Sequence, residues 1–594
     1  MTDMGKSLVL LRTLCLAALA ALAVQSCENT EGYRHGTDGV TARSIDMEQS
    51  CGSSATNFEF KFTARADWTA ESDNPSMLTI TTAASGSKGR TTMNVAVAEN
   101  TSGKERTGRI IISVEGCESE ILLSVTQSNT DHPDFAANRE SDRYLSEYYL
   151  WNDEYNTLTR NLSQDYDAFV ENTLLAMSTN TEDGGTTGGK RHLYSFIERS
   201  KASRSVLEKE SETTFGIFNL AAVMLVDQNG KDTGSRALCV LGVYPGTPAA
   251  EAGIKRGTWI FEAGGAEINS ANINGVYESL IYPSAAGKSM KLTVMDEYKA
   301  DAEEREVALT SADMPLNPVL CSKIIERGAA RIGYLVYGDF EASFDDELLA
   351  EIRKFKSAGI TDMVLDLRVN GGGHVISAQM LASVIAGTEG DGKDCLRYEY
   401  NADRMKNMGY SYPDNLESMK FGADAAPKGH MSEYSKADYL SLERLFVLVT
   451  GRTASASELT FTALRGIDFP VTLIGERTEG KNVGMEPYDF ECGGYEYLFY
   501  PITFRYYNAK NQTCDPAGTV PDYEVTEWDN GYCDWGSASD PLLARALEVI
   551  AGPSKSQATR SVQEVPFRPI PASESNLKRA PRRGGIIAPA RVRE

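Results

Sequence analysis

The sequence predicts a multidomain α+β protein in which an N-terminal all-β sandwich and a helical segment precede further domains that end in an α/β core. Three observations carry this expectation. Residues 46–130 hold short apolar runs that alternate with period two. Residues 135–212 lose that alternation and take on helical composition, and from residue 313 strand-like runs alternate with helical ones. At 594 residues the chain is long enough for several domains, and a hydrophobic content of 41% is ample for their cores.

Residues 1–26 read as an export signal. Lys6 and Arg12 supply positive charge, residues 14–24 are apolar but short for a bilayer span, and Val24-Gln25-Ser26-Cys27 closes the stretch. Small residues before a cysteine resemble the lipobox of bacterial lipoproteins. That resemblance implies a lipid on Cys27, a membrane contact by lipid anchor, and a place in the cell envelope of a Gram-negative bacterium, periplasmic or surface-exposed. A signal-peptidase site without lipid is the alternative. Residues 27–45 are polar and read as a tether.

Within 46–130 the runs Phe58-Glu59-Phe60-Lys61-Phe62, Met93-Asn94-Val95-Ala96-Val97 and Arg109-Ile110-Ile111-Ile112-Ser113-Val114 alternate as sandwich strands do. Ala66-Asp67-Trp68-Thr69, Asn100, Arg106-Thr107-Gly108 and Val125-Thr126-Gln127 resemble BACON domains, which implies either a glycan contact or a spacer. Trp68 is expected in the core. In 135–212 the stretches 143–151 and 166–177 read as helices, and Tyr144, Tyr148, Tyr149, Trp151 and Tyr155 as core aromatics; 184–189 reads as a flexible loop.

Residues 213–312 resemble a PDZ domain. Phe215-Gly216-Ile217-Phe218 stands where a carboxylate-binding loop occurs, and Val243-Tyr244-Pro245-Gly246-Thr247-Pro248-Ala249-Ala250-Glu251-Ala252-Gly253-Ile254 matches the strand–turn–helix that follows. Phe215, Gly216 and Ile217 are therefore the expected substrate-binding residues, with a peptide laid against a sheet edge and its terminal carboxylate held by backbone N–H groups. A domain that only braces the core is the alternative.

From 313 to 550, strand 330–340, a helix capped by Ser343 and strand 363–367 form a strand–helix–strand unit. Asp345, Asp346 and Glu347 suit the first turn of that helix, and Phe344, Leu348, Ile352 and Phe355 form one apolar face. A polar insertion at 387–443 could serve as a lid. The last 44 residues, 551–594, are basic, rich in Pro, Ser and Gly, and read as disordered.

The chemistry concentrates in three places. The apolar run Leu445-Phe446-Val447-Leu448-Val449 leads into Thr453-Ala454-Ser455-Ala456-Ser457-Glu458 and a helical stretch, which places Ser455 on a strand-to-helix turn. A second run, 471–475, leads to Gly480-Lys481. Leu365-Asp366-Leu367-Arg368-Val369-Asn370-Gly371-Gly372-Gly373 ends in glycines whose N–H groups can approach a substrate closely. Together these segments resemble the C-terminal processing (tail-specific) serine peptidases. The resemblance extends to Gly475-Glu476-Arg477-Thr478-Glu479-Gly480-Lys481, with Thr453 in place of the first serine and Gly371 in place of a proline. It implies Ser455 as nucleophile, Lys481 as base, and an oxyanion site from the Ala456 N–H and that of Gly372, with Gly371 as the alternative.

Many relatives carry a glutamine four residues after the lysine; here Met485 stands there, leaving a simple dyad or a role for Asn482 or Glu486. A neutral lysine base near pH 7–8 needs burial worth roughly 4 kcal/mol against the ordinary value of about 10.4. Of the five histidines only His374 lies near the site, no His or Cys–His spacing suits zinc, and the sequence calls for no metal and no cofactor. The net charge of −24, with +6 in residues 551–594 and −30 elsewhere, excludes nucleic acid as a natural partner and leaves protein or peptide substrates. Cys492, Cys514 and Cys533 could include a disulfide or stay free. The expected function is an exported serine endopeptidase. The alternative is a catalytically impaired cell-surface binding lipoprotein that keeps the fold and uses the sandwich and PDZ-like domains for contacts.

Overall fold

The computed structural model describes residues 34–36, 40–43, 47–102, 104–117, 121–129, 131–187, 190–200, 211–227, 229–297, 302–425, 434–528, 531–552, 567–570 and 586–587. The export signal and Cys27 lie outside the described residues, as does most of the basic tail. No helix among the described residues is long and apolar enough to cross a membrane.

Two five-stranded sheets share one core at the N-terminus. Strand Thr56–Ala64 buries Phe60, Phe62 and Ala64 and exposes the residues between them, the period-two pattern made physical. Trp68 is buried edge-on to Phe62, with ring centroids 5.0 Å apart. The sandwich starts earlier than residue 46. Strands Arg34–Gly36 and Val40–Arg43 belong to it, inside the stretch read as a tether. Val40 pairs with Ala64 and is buried, an apolar anchor hidden by polar neighbours.

Helices Phe135–Tyr148, Asn152–Tyr155 and Tyr166–Leu175 follow. Tyr144 stacks on Tyr488 at 4.3 Å, and Tyr149 and Tyr155 are fully buried, so the aromatic cluster packs a core. The segment is not helical throughout. Gly185–Thr187 pairs with Lys190–His192 where a flexible loop was expected, and Phe196–Ser200 pairs with Tyr495–Tyr500.

Residues 213–312 supply an antiparallel sheet ordered Arg305–Thr310, Ser289–Met295, Trp259–Ala263, Asp232–Val243 and Ile217–Val226, with helix Ile273–Ile281 packed on it. A sixth neighbour in that row, Phe567–Pro569, comes from the tail and pairs with Ile217–Val226. The disorder expected of the tail therefore does not hold there. Phe567 is 2% exposed and lies edge-on to Trp259 at 4.6 Å, an aromatic anchor inside a basic, proline-rich stretch.

The α/β core is a six-stranded sheet ordered Val319–Arg327, Ala330–Tyr337, Asp362–Asp366, Leu445–Val449, Val471–Gly475 and Tyr523–Glu524. The first pair is antiparallel and the rest are parallel. In Leu445–Val449 alternate residues enter two different cores, Leu445, Val447 and Val449 on one side and Phe446 and Leu448 on the other. A parallel strand covered on both faces must be apolar throughout, which explains the unbroken run.

The helix expected after Ser343 spans Asp345–Ala358 and buries Phe344, Leu348, Ile352 and Phe355 as expected. Ser343 does not cap it. A 3-10 turn, Ala342–Phe344, intervenes, and the Glu341 carboxylate accepts from the Ser343 N–H. The insertion 387–443 is built into a second sheet through Asp394–Tyr400 and Glu417–Lys420, with Tyr398 and Tyr400 buried, so its described residues form part of the core rather than a lid. Cys492, Cys514 and Cys533 are all unpaired.

Candidate active site

Strands Asp362–Asp366, Leu445–Val449 and Val471–Gly475 are consecutive parallel neighbours, so their C-terminal ends open on the same edge of the sheet. Each feeds one of the three motif loops: the glycines at 371–373, the turn at Ser455 and the loop to Lys481. Segments more than a hundred residues apart thus meet where open α/β sheets commonly bind ligands.

Ser455 sits at the N-terminus of helix Ala456–Gly466 with φ +64 and ψ −118. A non-glycine residue there is strained, and a strained turn that displays a hydroxyl before a helix is a known way to present a nucleophile. Its Oγ is buried and has no hydrogen-bond partner among the described residues. The turn is held by its neighbours instead. Thr453 Oγ1 donates to the Leu367 carbonyl at 2.9 Å, Ala454 N–H to the Asn370 carbonyl at 3.2 Å, and Ser457 Oγ to the same carbonyl at 3.1 Å. Thr453, standing where a serine is usual, therefore still serves as a hydroxyl donor.

The glycine loop closes on Ser455. A side chain on Gly372 would begin 2.7 Å from Ser455 Cβ and 3.0 Å from Ala456 N, and its φ of +116 also demands glycine. The missing side chain thus lets the glycine backbone pack directly against the hydroxyl-bearing residue and the Ala456 N–H. The Gly372 N–H expected to serve as oxyanion donor is engaged: it donates to Asn370 Oδ1 at 2.8 Å. In this state it is satisfied within its own loop.

Lys481 is 3% exposed, and its Nζ lies 4.5 Å from the centre of the Tyr194 ring. Tyr194 comes from the segment before the antiparallel sheet of residues 213–312, and nothing in its sequence setting marks it. The two residues considered as a third member face elsewhere. Asn482 Nδ2 donates to Glu182 at 2.7 Å, and Glu486 is ion-paired with Arg404. Met485 is buried in the aromatic core with Tyr144 and Phe499. His374 is held at Phe340 and Ala342, with Nδ1 3.1 Å from the Phe340 carbonyl.

Glu458 is the organising residue that motif reading left without a role. Its Oε2 accepts from the Ser455 N–H at 3.0 Å and from the Lys481 N–H at 2.8 Å. Its Oε1 accepts from Thr478 Oγ1 at 2.6 Å and from the Gly480 N–H at 3.0 Å. One carboxylate thus fixes the backbones of both proposed catalytic residues. Full burial pushes its pKa from 4.5 up to about 7, against the opposing pull of those donors.

The expected substrate-binding residues Phe215 and Ile217 are buried. Gly216 has φ +99, and a side chain there would strike Thr247 Oγ1 at 1.9 Å. Its N–H donates to Thr214 Oγ1 at 2.8 Å. Glycine is required at that position by close packing, and the N–H expected to face a carboxylate is internally paired in this state.

Residues 331–525 match peptidase family S41. A carboxyl-terminal-processing protease of a Picosynechococcus strain is 26% identical over 307 residues, covering 52% of this chain and 65% of the relative. A chloroplastic carboxyl-terminal-processing peptidase 1 of Arabidopsis thaliana is 24% identical over 299 residues, covering 50% of this chain and 54% of its own length. The chain therefore spans somewhat more than half the length of these curated relatives. A crystal structure from Bacteroides fragilis, described as an S41 protease, aligns with TM-score 0.53 at 23% identity over 69% of this chain and 96% of the other, and shows a shared fold.

The Glu458 carboxyl titrates higher in the fold than in the unfolded chain. Its protonation therefore stabilises the fold fully below about pH 4.5, and that contribution is lost as pH rises towards 7. In denaturant unfolding, the stability of wild type relative to Glu458→Gln is expected to fall by about 3 kcal/mol across that window. A pH-independent difference would refute the assignment.

Proposed function

We propose that the chain is an exported serine endopeptidase that hydrolyses peptide bonds of protein substrates with Ser455 as nucleophile and Lys481 as base, selecting them through their C-terminal tails. The observation that carries this reading is the shared Glu458 carboxylate, which holds the strained Ser455 turn and the Lys481 loop in one frame. The close approach of the Gly372 backbone to Ser455 and to the Ala456 N–H supports it, because it brings the glycine loop beside the proposed nucleophile.

The steps follow from those positions. Neutral Lys481 takes the proton of Ser455 Oγ as it attacks the carbonyl carbon, and the negative oxygen is stabilised by the Ala456 N–H with a second donor from the glycine loop. Lys481 then protonates the departing amine, and water, activated by the same lysine, releases the acyl group. Ser–Lys versions of triad logic need no third residue, which accommodates Met485. Two rearrangements are required from the state described. Lys481 must reach a hydroxyl that is unpartnered here, and Gly372 must exchange Asn370 Oδ1 for the oxyanion. Catalytic hydrogen bonds often tighten only with substrate. The alternative, a catalytically impaired binding lipoprotein, draws on Met485 and on that unpartnered hydroxyl.

Ser455→Ala and Lys481→Ala should each reduce hydrolysis of an unstructured protein by about 10⁴-fold or more, and the double variant should be no worse than either. Ser457→Ala, which loses only a hydrogen bond to the Asn370 carbonyl, should cost about tenfold or less. Full turnover by Ser455→Ala would overturn the nucleophile, and a wild type without turnover would favour the binding lipoprotein.

The PDZ-like sheet, with its Ile217–Val226 edge, is the proposed recognition surface for an extended C-terminal peptide. A substrate with a free C-terminal carboxylate should be cut roughly ten- to a hundredfold faster in kcat/KM than its amidated form, the value of about 1.5–3 kcal/mol for a charge-assisted hydrogen bond. Equal rates would remove tail selection and leave the domain as a brace. The lipid anchor belongs to the same proposal. Cys27→Ser should move the protein from the membrane fraction to the soluble one, and unchanged fractionation would refute lipidation.

A further inference from the structure

The tail adds two strands to the folded body, and both lie where a peptide substrate is expected. Phe567–Pro569 runs antiparallel to Ile217–Val226, with Leu225 opposite Phe567 and Val223 opposite Pro569. The Ile570 N–H continues the ladder to the Ala222 carbonyl at 2.8 Å, and Ile570 packs on the core of the PDZ-like domain. This is the edge of the strand that leaves the Phe215-Gly216-Ile217-Phe218 loop.

The second strand, Ile586–Ile587, lies between Gly373–His374 and Val483–Met485 and pairs in parallel with both. Ile586 is opposite Gly373 on one side and Gly484 on the other. Gly373 adjoins Gly372, whose backbone packs against Ser455 Cβ, and Gly484 is three residues beyond Lys481. A backbone in this gap closes the six-stranded second sheet and occupies the slot between the glycine loop and the lysine loop.

We infer that the C-terminal tail is a tethered pseudosubstrate: it docks as a β-strand in the peptide groove between Gly373–His374 and Val483–Met485 and on the recognition edge of the PDZ-like sheet, and so competes with substrate at both. The inference rests on the peptidase reading for its consequence but not for the docking itself. Charge supports the occupant, since residues 551–594 carry +6 against −30 for the rest of the chain. Main-chain pairing recognises extended backbone regardless of side chains, so a tail and a substrate can use the same slot. Tethering gives the tail an effective concentration that a free peptide must exceed.

The test compares three proteins, each also prepared as Ser455→Ala: the full chain, a chain ending at Ile570 that keeps the buried Phe567, and the full chain with Ile586→Pro and Ile587→Pro. Hydrogen exchange should be at least tenfold faster at residues 373–374 and 483–485 in the last two. KM for an unstructured protein should fall about tenfold or more in both. A synthetic peptide of residues 580–594 should restore protection to the chain ending at Ile570, more weakly as salt rises, whereas the same peptide with Ile586→Pro and Ile587→Pro, which lacks the N–H groups for pairing, should not. Unchanged exchange in both altered proteins would overturn the docked tail, as would equal protection by the proline-substituted peptide. Faster exchange with no hydrolysis by any Ser455-containing form would uphold the docking and overturn the peptidase reading instead.

Discussion

Glu458 joins two loops that approach each other from separate strands, and the geometry of the site depends on that junction. Four donors converge on its two oxygens, two of them the backbone N–H groups of Ser455 and Lys481. A buried carboxylate is costly unless such donors surround it, and each donor would be costly to leave unmatched. The cost on both sides locks the loops together. Placing the proposed nucleophile and base therefore does not rely on a hydrogen bond between their side chains, and Ser455 Oγ can remain unpartnered without the site drifting apart.

The α/β core was largely legible in the sequence because its strands are buried on both faces. Unbroken apolar runs such as 445–449 and 471–475 announce themselves, and the loops after them carry the distinctive residues. Trp68 and the tyrosines at 144, 149 and 155 were legible for a related reason, since large apolar surface is seldom left in water. Glu458 stood inside the motif, yet its role could not be read there. A carboxylate in the first turn of a helix is ordinarily a dipole or capping partner, and only the fold brings Thr478 and Gly480 to its far oxygen.

Other features were illegible because they depend on contacts distant in sequence. Tyr194 gains its place beside Lys481 only after the segment before the antiparallel sheet of residues 213–312 packs against the core. Gly216 and Gly372 were expected as open donors, but folding supplies each N–H with a nearby acceptor, Thr214 Oγ1 and Asn370 Oδ1. The tail misled for a compositional reason. Its average is basic and rich in breakers, whereas main-chain pairing needs only two or three extended residues and, in one strand, the buried ring of Phe567.

These departures share a direction. An edge strand with unmatched N–H and C=O groups invites pairing by any extended chain, and proteins commonly cover such edges. Here both the Ile217–Val226 edge and the gap between Gly373–His374 and Val483–Met485 are covered by the chain itself. The two glycine N–H groups expected to face ligand are each matched by a side chain two residues away. The main-chain contacts among these are hydrogen bonds that an extended peptide could replace in kind, so their displacement exchanges bonds, whereas the buried Phe567 ring adds an apolar contact to one strand. The net worth of a typical exchange is small, about 1 kcal/mol or less for each bond. On the proposed reading, a gap closed in this way opens to an extended peptide that pairs along both strands, while a short or poorly extended one gains too little to displace the tail.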